Sequence, residues 1–142
     1  MKTQTFGLEV EMNRITRQKA AQVVAKTLPT NAVGDRARVE HTGGTYDTWT
    51  VTGIDGRKWK LMSDASIEGP FDQRTEFVTP ICHWEDIETV QAIIRALREA
   101  GAQAHSSCGI FPTVAVSDFG TIRLMLYLGV PPLMDLGSHT LA

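Results

Sequence analysis

Between Phe6 and Met12 the apolar residues Phe6, Leu8, Val10 and Met12 alternate one for one with Gly7, Glu9 and Glu11. Successive side chains point to opposite faces only in an extended strand, so this segment commits the chain to a sheet with one apolar and one acidic face. The apolar face needs a cover, and the sequence supplies two. After Thr16, a helix-capping residue, Ala20, Val23, Val24 and Leu28 recur at helical spacing until Pro29 ends the pattern. From 85 to 100 an apolar stripe of Ile87, Val90, Ile93, Ile94 and Leu97 has acids at its start, Arg95 and Arg98 near its end, and Gly101 just beyond.

Strands are expected over 36–42, 46–54 and 57–63, with Gly43-Gly44 and Asp55-Gly56 as turns. Residues 68–74, with Gly69-Pro70, read as a loop, and 75–79 as a short strand stopped by Pro80. The expected architecture is α+β: an antiparallel sheet covered by two helices.

Composition excludes several classes. The chain has 142 residues, 42% hydrophobic and 21% charged, which suits one globular domain and neither disorder nor a coiled coil. A formal charge of -2, with no long basic run, gives no general attraction to nucleic acid or to an anionic membrane. No stretch approaches the roughly 20 apolar residues of a spanning helix, and the first residues lack the apolar core of an export signal, so a cytoplasmic protein is expected. Cys82 and Cys108 lack a metal or redox spacing and are expected to be reduced and partly buried.

Glu9 and Glu11 lie on one side of their strand, roughly 7 Å apart at about 3.3 Å per residue. Two carboxylates so placed suit a pair of Mg²⁺ ions; equally, they suit a solvated strand face. Asp64 and Ser66, where a strand ends, suit contacts to a substrate or nucleotide, or local turn hydrogen bonds. Glu76, on a short strand facing away from Phe77, completes a set of three strand-borne glutamates. Grouped carboxylates repel one another unless a cation neutralises them.

The succession Phe-Gly-Leu-Glu-Val-Glu, Trp-x-x-x-x-Asp-x-Ser, Thr-Glu-Phe-Val-Thr-Pro, a long amphipathic helix and then Cys108-Gly109-Ile110 resembles the amidoligase family. That family is similar to the carboxylate–amine ligases of the glutamine synthetase and glutamate–cysteine ligase superfamily. The resemblance implies a curved sheet whose acidic face holds Mg²⁺ and ATP, with Glu9, Glu11 and Glu76 as metal ligands and Asp64 and Ser66 beside the substrate or nucleotide. It implies amide-bond formation through an acyl phosphate, the partners being small-molecule carboxylates and amines or a peptide. No catalytic residue is assigned by it.

One block departs from the family pattern. Where a His-x-His strand is expected, this chain has Phe111-Pro112-Thr113-Val114. Beyond Ile110, Asp118, Arg123 and Asp135 are the only acidic or basic residues, Asp, Glu, Lys and Arg counted together. The sequence thus suggests an amidoligase-like part over 1–109 and a divergent tail over 110–142, as a truncation or frameshift produces. The expected sheet is then incomplete relative to the family, and the ligase is either complete or inactivated by the truncation. A non-catalytic binding module is the alternative, self-associating through an exposed sheet edge and the apolar stretch 121–130. His105, in a polar loop, is expected to be solvated.

Overall fold

The computed structural model describes residues 5–116 and 120–123. Eight strands form one antiparallel sheet: β1 (Thr5–Asn13), β2 (Arg38–Gly43), β3 (Thr48–Thr52), β4 (Lys58–Met62), β5 (Arg74–Val78), β6 (Cys82–His83), β7 (Ile110–Val116) and β8 (Gly120–Arg123). Seven of them lie in the order β2-β3-β4-β5-β1-β7-β8, and β6 pairs with the start of β1. The strand that opens the sequence therefore lies inside the sheet, between β5 and β7. Two helices, α1 (Arg17–Thr27) and α2 (Ile87–Glu99), complete the α+β fold.

Period-two patterning decides which face is covered. Leu8, Val10 and Met12 of β1, Val51 of β3, Trp59 and Leu61 of β4 and Phe77 of β5 form one buried layer, with the Trp59 and Phe77 rings stacked 6.0 Å apart. Ala20, Ala21 and Val24 of α1 and Val90, Ile93 and Leu97 of α2 close that layer. Both helices thus lie on the apolar face and leave the opposite face open. Helix α1 begins at Thr16, whose hydroxyl accepts a hydrogen bond from the Lys19 amide at 3.1 Å.

Two arginines tie the layers together. Arg17, only 4% exposed, donates to Asp47 and to the carbonyls of Phe71 (3.0 Å) and Arg74 (2.8 Å), fastening α1 to the β2–β3 turn and to β5. Arg57, in the β3–β4 turn, forms a two-pronged pair with Asp86 (2.8 and 2.8 Å) at the entry to α2. These hydrogen bonds hold the Asp47 and Asp86 carboxyls below the usual range.

Several boundaries differ from the sequence expectation. Arg36 and Ala37 precede β2, and Tyr46 and Asp47 belong to the β2–β3 turn, where Asp47 takes a left-handed φ of 46°. The second helix is preceded by a 3₁₀ turn at Trp84–Asp86, and another, Phe71–Gln73, lies in the expected loop. β6, β7 and β8 had no counterpart in the alternation pattern. Both cysteines are free and fully buried, not partly so. The apolar stretch from 124 to 130 and the rest of the tail to 142 lie outside the described residues.

Candidate functional site

On the open face, β1 presents Gly7, Glu9 and Glu11. The register sets Glu11 directly opposite Glu76 of β5 and Glu9 opposite Val78, while Met62 of β4 faces Glu76 from the other side. Two residues past the end of β4, Asp64 joins them: its charge acts on Glu11, and that of Glu9 on Glu76, each raising its neighbour's pKa. Like charges directly across an antiparallel pair destabilise a sheet, so four acids gathered here oppose folding.

The electrostatics record that cost. Glu11 is 6% exposed, and burial, followed by the nearby charge of Asp64, raises its pKa from 4.5 to about 6. In Glu76, burial again leads, joined by the charges of Glu9, Asp64 and Glu11, and the pKa rises from 4.5 to about 7. A backbone clamp keeps Glu11 in place: its carboxylate Oε2 accepts from the Gly109 amide at 3.1 Å, and its own amide donates to the Gly109 carbonyl at 2.9 Å. The Cys-Gly-Ile segment is thus the wall that positions Glu11. Cys108, buried beside it, has its thiol pushed above the ordinary range by burial.

The sequence-derived residues separate into two groups. Glu9, Glu11, Glu76 and Asp64 come together, and Asp64, expected only to border a ligand, is a full member of the carboxylate cluster. Ser66 is exposed, and its amide (2.8 Å) and hydroxyl (2.7 Å) both donate to Asp64 Oδ1, so it holds Asp64 through local turn bonds. The positions of the missing His-x-His strand also fall beside the site, since Phe111 pairs with Glu9 and Thr113 with Gly7. His105 sits in the loop before Gly109, half exposed, with Nε2 3.4 Å from Glu68. The role of Gly109 was missed by residue chemistry, because it acts through its backbone; only the Cys-Gly-Ile block hinted at it.

The donor set is made of carboxylate oxygens, which suit a hard cation such as Mg²⁺. Among the described residues no three His, Cys, Asp or Glu side chains are arranged to hold a single ion by themselves. Mg²⁺ does not require such a cage, because it keeps several waters and is commonly held by one or two carboxylates plus the phosphates of a nucleotide. The residues therefore fit the ion in kind.

Fold and site together define an α+β protein whose sheet is covered by helices on one face and gathers four carboxylates on the other. The family model described as "Putative amidoligase enzyme" matches residues 2–116, and the chain belongs to that family. No curated protein and no solved structure matches the chain.

Proposed function

We propose that the open face is the nucleotide floor of an ATP- and Mg²⁺-dependent ligase that joins a carboxylate to an amine through an acyl phosphate. The observation that carries this reading is the gathering of Glu9, Glu11, Glu76 and Asp64 at the expense of two raised carboxyl pKa values. Carboxylates with perturbed pKa values gathered on one sheet face are a mark of a functional site. The family to which the chain belongs supports the amide-forming chemistry.

In this reading Glu9, Glu11, Glu76 and Asp64 are the residues that would hold the cations together with the phosphates of the nucleotide. Bound Mg²⁺ supplies neutralisation of the charge that develops on the transferred phosphoryl oxygens. The chain's own contribution is position. The Gly109 amide aims Glu11, Ser66 aims Asp64, and Gly7 leaves the face open, with nothing within 4 Å of where its Cβ would be. The β7 positions beside Glu9 and Gly7 carry no imidazole, so the site relies on carboxylates alone there. A cytoplasmic setting, where ATP is plentiful, accords with this activity; no described helix is long and apolar enough to cross a membrane.

The test is calorimetric. The purified chain should bind ATP in the presence of Mg²⁺ and lose at least about tenfold in affinity when Mg²⁺ is chelated or when Glu9→Gln and Glu76→Gln are combined. Affinity that ignores both changes would rule out the carboxylate cluster as the nucleotide site.

A further inference from the structure

The open face has a second half. Period-two alternation on β2, β3 and β4 brings Arg38, Glu40 and Thr42, then Thr48, Thr50 and Thr52, then Lys58 and Lys60 to the same side as the carboxylates. The register aligns them in cross-strand rows, Arg38–Thr52–Lys58 and Glu40–Thr50–Lys60. Together they line a trough of about 390 Å³, within the usual range of small-ligand sites, about 300–1,000 Å³. Its floor is recessed: Thr50 is only 5% exposed although it lies on the uncovered face, and its hydroxyl is 2.9 Å from that of Thr42.

Three cations line this trough against one carboxylate, Glu40. Arg38, Lys58 and Lys60 are exposed, and none has an ion-pair partner among the described residues. The second row continues through Val78 to Glu9. At about 4.8 Å per strand, Lys60 therefore lies about 10 Å from Glu9 along the sheet. One face thus carries a basic, hydroxyl-lined half and an acidic half within the length of a short peptide.

We infer that the trough is a binding site for the non-reacting carboxylates of a short acidic peptide, whose other end reaches the Glu9–Glu76 cluster. This inference rests on the ligase reading and names its substrate class. Ammonium, guanidinium and threonine hydroxyl groups all donate to carboxylates, while Glu40 offers an acceptor for peptide N–H groups. A long uniform polyanion fits poorly, because continuing along the row it meets Glu9, Glu11, Glu76 and Asp64. A peptide with a few carboxylates at one end matches the change of sign across the face.

The experiment titrates the full chain with triglutamate, triglutamine and inorganic tripolyphosphate, without nucleotide, and separately with Mg-ATP. Triglutamate should bind at least about tenfold more tightly than triglutamine, and K58Q/K60Q should weaken it by about tenfold or more while leaving Mg-ATP affinity unchanged. Both lysines are exposed, and an unchanged thermal midpoint in K58Q/K60Q confirms that the loss is local. The inference is overturned if triglutamate fails to bind, if the double variant binds it as well as the parent, or if tripolyphosphate binds the trough more tightly. Because the peptide arm contains no nucleotide, it is read independently of the ATP arm: loss of Mg-ATP binding in Glu9→Gln with Glu76→Gln, and not in K58Q/K60Q, tests the ligase reading alone.

Discussion

Replacing Glu76 by glutamine should stabilise the cation-free protein at alkaline pH. In the folded chain Glu76 titrates at about 7 and Glu11 at about 6, against 4.5 for the ordinary group. Between pH 4.5 and 7 the folded state therefore holds more protons than the unfolded state, and stability falls as pH rises through that window. At about 1.4 kcal/mol per unit, Glu76 accounts for about 3 kcal/mol and Glu11 for about 2. The two are coupled through Glu9 and Asp64, and protonating one relieves the other, so about 3 kcal/mol is expected for the whole cluster. That corresponds to a fall in Tm on the order of 10 °C between pH 5 and pH 8. Asp47 and Asp86, held below the usual range, stay ionised throughout this interval and contribute no slope. Urea denaturation of parent and Glu76→Gln at pH 5, 6, 7 and 8 isolates the effect. The variant should exceed the parent by about 2–3 kcal/mol at pH 8, and the gap should close toward pH 5. Millimolar Mg²⁺ should recover part of the deficit in the parent and little in the variant. A variant no more stable than the parent at pH 8, or a gap that does not change with pH, would refute the crowded-carboxylate account.

Two further outcomes test the frame around the site. Arg17→Met leaves the carbonyls of Phe71 and Arg74 without their donor and unpairs Asp47; it should cost about 2–4 kcal/mol in chemical denaturation, well above a typical surface substitution. Arg57→Met removes the two-pronged contact with Asp86 but at a third-exposed position, so about 1–2 kcal/mol is expected, with amide exchange accelerated at the start of α2; unchanged exchange there would count against the tether.

Much of this protein is legible in local pattern. Alternation in β1, the Thr16 cap, the stripe of α2 and the Asp55-Gly56 turn identify their elements because each depends on residues within a few positions of one another. The same is true of the three glutamates on one strand face or another. Alternation also exposes Thr48, Thr50 and Thr52 with Lys58 and Lys60, yet nothing local says that these share a face with Glu9.

Pairing decided the rest. Whether Glu11 stands opposite Glu76, whether Asp64 turns toward Glu11, and whether Lys60 lies two strands from Glu9 depend on register between segments far apart in the chain, and a shift of one residue would send every side chain to the other face. The identity of β7 shows the same limit: Phe111, Pro112 and Thr113 have no alternating pattern of their own, and they are a strand because β1 pairs with them. The sequence by itself determined a strand with an acidic face, two covering helices and the carboxylates available for a cation. Only the tertiary structure decided that four of those carboxylates meet, that the Gly109 backbone holds one of them, and that a basic trough continues the same surface, because these are consequences of long-range register and of main-chain geometry.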